Sequence, residues 1–190
     1  GVDEAFQELI TDASLLAIGG TALQGEPEDT YYRFIQTAKN MGIPVFLDSY
    51  RIHGRRALAA SPDVLKINAD ELADLTQTNL ESVEQRSAAC RAIRDRYGVK
   101  WVIITRGRGG AEAFAETGMM CGSAPDVRVL NPIGSGDAFA AGVIAALHEN
   151  GIQRAGLRDA VRIGISMGTA NCMSLKPGYV DPQDRENIMG

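Results

Sequence analysis

The segment 131-NPIGSGDAFAAG-142 places a carboxylate and two glycines at the start of a strongly apolar run. Gly134 and Gly136 precede Asp137, and the pattern predicts a buried helix over 135–149. The first N–H groups of a helix lack partners within the helix, and glycines let an anion approach them closely. An aspartate beside such amides is suited to take a hydroxyl proton while the amides stabilise charge on a phosphoryl group.

The simpler alternative is that Asp137 only caps its helix, since aspartate is common at helix N-termini. A cap accounts for one aspartate but gives no reason for the two glycines in front of it. The pattern therefore favours a general base beside an anion site.

Polar residues also end the predicted strands. The runs 43–48, 63–68 and 100–105 are apolar and end at Asp48, Asn68 and Thr105. Helical patterns separate the strands, which predicts right-handed βαβ crossovers and a mainly parallel sheet. Ligands of such sheets bind beyond the carboxyl ends of the strands, so we expect these residues and Asp137 on one rim.

The remaining elements follow from periodicity and turn residues. Further helices are predicted from Pro27 to Gly42, over 70–75, over 82–98 and from residue 157. Ser82 and Gln85 form a capping box for the third of these. Shorter, antiparallel strands are predicted over 111–115, 119–122 and 127–130.

The first segment resembles a known family. It is similar to the signature of the ribokinase-like carbohydrate kinases, also called the phosphofructokinase-B family, D/N-x-x-G-A/S-G-D-x-F-x-A-G. The resemblance implies that Asp137 is the catalytic base and that the amides of Gly134, Ser135 and Gly136 form the anion hole. It also implies a three-layer α/β/α fold and ATP-dependent phosphoryl transfer to a hydroxyl group.

Two more segments resemble the nucleotide site of that family. The run 66-KINADEL-72 is similar to K-P-N-x-x-E-L, which implies that Asn68 and Glu71 organise magnesium and the nucleotide phosphates through water. A helix cap with a first-turn glutamate is the alternative. The run 102-VIITRGRGGA-111 is similar to V-x-V-T-x-G-x-x-G, which implies that Thr105, Gly107 and Gly110 approach the phosphates and ribose of ATP.

The glycine-rich loop by itself also suggests a dinucleotide site, but 111–116 is predicted as a strand and no third glycine is correctly placed. No G-x-x-x-x-G-K-S/T sequence occurs, which argues against a P-loop kinase. The tail 168-GTANCMSLKPGYVD-181 resembles the family's last helix and adenine-bordering loop. This implies that Asn171 lies near the base; a polar residue on the exposed side of a helix is the alternative.

The substrate is indicated by a weaker likeness. The segment 17-AIGGTALQGEPEDTYYRFI-35 resembles the S-G-S-L-P-P-G-x-P region of the 1-phosphofructokinase and tagatose-6-phosphate kinase branch, which implies a phosphorylated ketohexose. The residues at 22–24 depart from Leu-Pro-Pro. The alternatives are a kinase for an unphosphorylated sugar or a nucleoside, and a non-catalytic nucleotide-binding remnant.

The resemblance extends over residues 1–190, which we expect to form one kinase domain. It covers only the C-terminal part of a full-length family member. The expected N-terminal strands, sugar-binding region and β-sheet lid are not recognisable. We therefore expect little kinase activity from these residues alone, because the lid excludes water from the phosphoryl site. A sheet without its early strands also exposes an edge or a core face, so a homodimer is possible.

Composition excludes several other classes of function. The net charge of −5 and the lack of a dense basic cluster argue against a nucleic-acid partner. No apolar run approaches the roughly 20 residues of a membrane span. The three scattered cysteines fit neither a disulfide framework nor a zinc site, so a reducing cytoplasm is the expected location.

Overall fold

The computed structural model describes residues 1–154 and 156–189, without the side chains of residues 153 and 154. The chain divides into two compact units, Gly1–Val102 and Ile103–Gly190. Each is an α/β unit.

The first unit alternates strands and helices, and its strands are parallel. β1 pairs with β2 and β2 pairs with β3, all running in the same direction. The predicted strands that end at Asp48 and Asn68 are confirmed. The elements are α1 (Val2–Ile10), β1 (Leu16–Gly19), α2 (Thr30–Asn40), β2 (Val45–Asp48), α3 (Ile52–Leu58), β3 (Val64–Asn68), α4 (Ala69–Thr76) and α5 (Val83–Tyr97).

The buried carboxylate of Asp63 ties the beginning of β2 to the surface around it. One of its oxygens accepts a hydrogen bond from the Val45 N–H at 3.0 Å, and the other lies 3.0 Å from the ammonium groups of Lys39 and Lys100. Burial by itself raises the pKa of Asp63, but these hydrogen bonds outweigh it and hold the pKa below its usual value. Asp63 is therefore an internal anchor at the end of the strands opposite to Asp48.

The second unit begins within β4 (Trp101–Thr105), which ends at Thr105 as predicted. A short 3₁₀ turn at Gly107–Gly109 leads into an antiparallel hairpin, which is also predicted by the sequence. The later elements are β5 (Ala111–Ala115), β6 (Gly118–Gly122), α6 (Ser135–Arg154), α7 (Leu157–Cys172) and α8 (Pro182–Met189). Gly151 has non-helical backbone angles, so α6 is regular only up to that residue.

Glycines let α6 and α7 pack closely. A Cβ on Gly142 would lie 3.0 Å from the Gly164 Cα, and a Cβ on Gly164 would lie 3.0 Å from the side chains of Phe139 and Val143. A Cβ on Gly168 would lie 3.0 Å from the Ser135 carbonyl oxygen. This contact fixes the first turn of α6, which carries the predicted anion site, against α7.

Two predicted elements differ from the structure. Residues 127–130 do not form a strand; the N–H of Leu130 donates instead to the Cys172 carbonyl at 2.8 Å. Helix α2 begins at Thr30 rather than at Pro27, because Pro27 lies in a turn whose carbonyl accepts the Thr30 N–H. The capping box of Ser82 and Gln85 is confirmed by both of its hydrogen bonds.

Candidate active site

The loop before α6 has a backbone shape that only glycine allows. Gly134 has a φ of +83°, and a Cβ at this residue would lie 2.6 Å from the Gly178 backbone nitrogen. A side chain would therefore meet both a strained backbone and a second backbone segment. The glycine predicted to admit an anion is thus also required by the fold of this loop.

The first turn of α6 leaves backbone N–H groups without acceptors. Among the described residues, none accepts a hydrogen bond from the N–H of Gly134, Gly136 or Asp137. The N–H of Ser135 differs, because it donates to the Pro132 carbonyl at 3.2 Å. Unpaired amides at the positive end of a helix attract an anion.

The carboxylate of Asp137 is exposed and has no hydrogen-bond or ion-pair partner within residues 1–154 and 156–189. None of the described backbone N–H groups donates to it, so Asp137 does not cap the helix through a hydrogen bond. The carboxylate is available to accept a proton from a bound molecule.

A cavity of about 450 Å³ lies beside this turn within the second unit. Its lining includes five of the residues that the sequence assigns to the anion hole and the nucleotide: Thr105, Gly107, Gly110, Ser135 and Gly136. The structure therefore brings together two segments that are about 25 residues apart in sequence. Asp137 follows them directly but does not line the cavity.

The rest of the cavity wall is mostly apolar, and sequence reasoning did not assign it. Val127 and Val129 supply one side, while Phe139, Ile165 and Cys172 belong to α6 and α7. An apolar wall with convergent backbone groups is typical of a small-molecule site. The helical spacing of Ile165 and Cys172 was a usable signal, but the same spacing is typical of core residues.

The turn between β4 and β5 is held from two sides. Gly110 has a φ of +80°, and a Cβ there would lie 2.0 Å from the Gly122 carbonyl oxygen. The Arg106 guanidinium lies 3.1 Å from the completely buried carboxylate of Glu112 and also donates to the Gly109 carbonyl. Arg106 is therefore a structural residue of the turn, whereas Arg108 lines the cavity.

Asn171 lies beneath the loop before α6, residues 131–134, which we call the anion-site loop. Its side chain is completely buried, so the alternative of an exposed polar residue is wrong. Its Nδ2 donates to the Ile133 carbonyl at 3.0 Å. That Asn171 contacts adenine stays a prediction, and Asn171 is not among the residues that line the cavity.

The sequence of the chain matches a known protein family. Residues 2–183 match the model of the pfkB family of carbohydrate kinases. The chain belongs to this family.

Solved structures of pfkB-type kinases and their relatives share the fold. The chain aligns over 98% of its length with Escherichia coli phosphofructokinase-2 in complex with potassium (TM-score 0.87, 23% identity, 62% of that chain). It aligns equally far with a putative phosphofructokinase from Staphylococcus aureus (0.86, 22%, 60%) and with Arabidopsis thaliana ribokinase complexed with ribose and ATP (0.82, 21%, 59%). The predicted ribokinase-like α/β fold is confirmed, and the chain spans about 60% of the length of these neighbours.

The pfkB-type Asn68 and Glu71 form a capping box at the start of α4. Asn68 Oδ1 accepts from the Glu71 N–H at 2.8 Å, and Glu71 Oε2 accepts from the Asn68 N–H at 2.7 Å. The alternative of a helix cap is therefore correct for these two residues, but the cap uses only one carboxylate oxygen of Glu71. The remaining Glu71 Oε1 has no partner among the described residues, which fits a role toward magnesium through water.

Asp48 is not free in this pfkB chain. Its carboxylate accepts two hydrogen bonds from Lys66 Nζ, at 2.8 and 3.0 Å, and both side chains are largely buried. Among the described residues, no group of three or more His, Cys, Asp or Glu side chains could hold a metal ion. None of the described helices is long and apolar enough to cross a membrane.

Proposed function

We propose that the protein transfers a phosphoryl group from ATP to a hydroxyl group of a sugar or sugar phosphate. The observation that carries this proposal is the first turn of α6, which has unpaired amides and an unpartnered carboxylate and begins with two residues that line the cavity, Ser135 and Gly136. Amides alone would suit any anion. The free carboxylate of Asp137 adds the group that the acceptor hydroxyl needs to lose its proton.

Each group has one task in this reaction. Asp137 takes the proton of the acceptor hydroxyl as that oxygen attacks the γ-phosphate of ATP. The N–H groups of Gly134 and Gly136 stabilise the charge of the transferred phosphoryl group, and the Asp137 N–H extends this set. The predicted use of the Ser135 N–H would require it to release the Pro132 carbonyl.

The nucleotide occupies the cavity in this proposal. We expect the phosphates and ribose near Thr105, Gly107 and Gly110, which line the cavity, and the base against the apolar wall. Asn68 and Glu71, both in the first unit, would hold magnesium through water, and the ion would supply charge neutralisation of the nucleotide phosphates. Positioning and electrostatics then account for most of the rate enhancement.

The acceptor is proposed to be a phosphorylated ketohexose. This rests on the sequence likeness of residues 17–35 and on the structural neighbours named phosphofructokinase, one of which is Escherichia coli phosphofructokinase-2 in complex with fructose-6-phosphate. The ribokinase neighbour is a complex with ribose, and another neighbour is a Burkholderia thailandensis nucleoside kinase in complex with inosine. An unphosphorylated sugar and a nucleoside are therefore the competitors to test.

The test is an acceptor panel on the full-length protein that contains this chain. ATP consumption is measured with magnesium and with ketohexose phosphates, free hexoses, ribose and nucleosides. We expect turnover with a ketohexose phosphate at least ten times faster than with the other acceptors. Turnover confined to ribose or a nucleoside would overturn the substrate class, and no transfer to any acceptor would contradict the proposed activity.

A further inference from the structure

Asn171 is a buried polar residue whose side chain makes one hydrogen bond within the described part of the chain, to Ile133. It lies in the last turn of α7, and its Nδ2 donates to the Ile133 carbonyl at 3.0 Å. Its Oδ1 is buried and accepts no hydrogen bond from the described residues. The reverse orientation of the amide would bring two oxygens together, so the contact with Ile133 also determines which way the side chain points.

The bond to Ile133 sets the direction of the next amide. In a trans peptide, the carbonyl and the following N–H point in opposite directions. Because Asn171 draws the Ile133 carbonyl toward α7, the N–H of Gly134 points away from α7. This is one of the N–H groups that has no acceptor among the described residues.

We propose that Asn171 is a positioning residue, which orients the Gly134 N–H toward the phosphoryl group during transfer. The inference rests on the proposed phosphoryl transfer and names a residue that acts through the anion-site loop. It assigns Asn171 a role other than contact with adenine.

The surrounding hydrogen bonds make α7 the support of this loop. The N–H groups of Leu130 and Asn131 both donate to the Cys172 carbonyl, at 2.8 and 3.2 Å. Asn131 also bridges two segments, since its Oδ1 accepts from the Ile133 N–H and its Nδ2 donates to the Leu175 carbonyl. Asn171 supplies the bond from inside, at the peptide that precedes Gly134.

Stability by itself does not explain an asparagine here. A completely buried position with an unpartnered oxygen favours an apolar residue, because a buried polar atom without a partner is costly. The Gly134 turn keeps Asn171 close, since the Asn171 Oδ1 lies 3.5 Å from the point where a Gly134 Cβ would be. The side chain is thus packed directly under the peptide that it orients.

The experiment compares Asn171→Asp and Asn171→Ala with the parent in the full-length protein. Both variants remove the donor to Ile133, and the alanine variant avoids a buried charge if Asn171→Asp does not fold. Ser166→Ala is the matched control. It is also buried on α7 and loses one side-chain bond to a carbonyl, that of Ile163 at 2.8 Å, which lies outside the anion-site loop.

Dissociation constants are measured for Mg-ATP and for Mg-ADP, which lacks the γ-phosphate, together with kcat for transfer. We expect ATP binding to weaken about tenfold more than ADP binding, as for loss of one hydrogen bond to a charged group. Loss of a preorganised donor lowers kcat about 10²-fold. Ser166→Ala should leave the ratio of the two constants unchanged.

Equal weakening of ATP and ADP would overturn the inference in favour of contact with adenine. A lower melting temperature with an unchanged ratio and unchanged kcat would overturn it in favour of a purely structural role. If the parent protein binds neither nucleotide, the proposed function fails and the inference fails with it.

Discussion

Gly107 and Gly110 share one turn but differ in what surrounds them. Both have positive φ angles, of +54° and +80°. Apart from its two chain neighbours, no described residue has an atom within 4 Å of a Cβ built on Gly107, whereas a Cβ built on Gly110 meets the Gly122 carbonyl oxygen at 2.0 Å. A side chain at Gly107 would therefore meet only backbone strain, whereas a side chain at Gly110 would meet backbone strain and a steric clash.

We predict that Gly107→Ala lowers the free energy of unfolding by about 1–2 kcal/mol, the cost of a left-handed residue. Gly110→Ala should lower it by about 4 kcal/mol or more, because strain and a backbone clash combine. Urea unfolding of both variants measures the difference. Equal losses would show that the Gly122 carbonyl does not close this turn.

The pKa of Asp63 makes a prediction about stability in acid. The folded-state pKa is lower than the unfolded one, so the stabilisation is complete above the unfolded pKa of about 3.9 and is lost as the pH falls through the folded value. Asp63→Asn should cost about 1–3 kcal/mol at pH 7 because the hydrogen bonds to the charged lysines weaken. The gap between the two proteins should shrink below pH 4 in urea titrations; a gap that stays constant would contradict the assignment.

The contact between α6 and α7 is the element-scale feature on which the site depends. A Cβ at Gly164 is already tight against Phe139 and Val143, and all three residues are buried. Gly164→Val should therefore destabilise the protein by about 1–3 kcal/mol through overpacking.

The control for this substitution is Ala145→Val, at an exposed position of α6. It adds a β-branched side chain to a helix without a close neighbour, and it should cost less than about 1 kcal/mol. Thermal unfolding and Mg-ATP binding are measured together. If Gly164→Val is as stable as Ala145→Val, the close approach of the helices is not required.

The ends of elements were readable from the sequence because they depend on local chemistry. Apolar runs that stop at Asp48, Asn68 and Thr105 predicted three strand ends, and the Ser82–Gln85 capping box predicted a helix start. These features need only the residues within one or two turns of the chain. The parallel pairing within the first unit followed from the helices between its strands.

Two features of the second unit could not be predicted from the local sequence. Residues 127–130 are predicted as a strand, but they form none, and Val127 and Val129 line the cavity instead. Alternation reports an apolar surface on one side, and it does not say whether a sheet or a cavity wall covers it. The sequence leaves the burial of Asn171 open, because its partner Ile133 lies 38 positions away in sequence.

For the whole molecule, the chain corresponds to about 60% of the length of its structural neighbours. That one kinase domain extends over 1–190 remains a prediction, and so does a homodimer. The residues that line the cavity nevertheless all lie within the second unit, so the proposed nucleotide pocket is formed by parts that the chain contains.

We predict that the isolated 190-residue chain is stabilised by Mg-ATP but transfers phosphate to sugars at less than about 1% of the rate of the full-length protein, because a sugar-binding region and a lid that excludes water are not recognisable in these 190 residues. Thermal shift with Mg-ATP and a coupled assay of transfer test the two halves of this statement. Full turnover by the isolated chain would refute the second half. Absence of any thermal shift would refute the first.

The central claim is that the unpartnered carboxylate of Asp137 removes the proton of the acceptor hydroxyl. The most direct measurement is kcat and the Mg-ATP dissociation constant of Asp137→Ala in the full-length protein. We expect kcat to fall by about 10³-fold, as for loss of a general base. The dissociation constant should change by less than about threefold, because Asp137 does not line the nucleotide cavity. Normal turnover by Asp137→Ala would contradict the account.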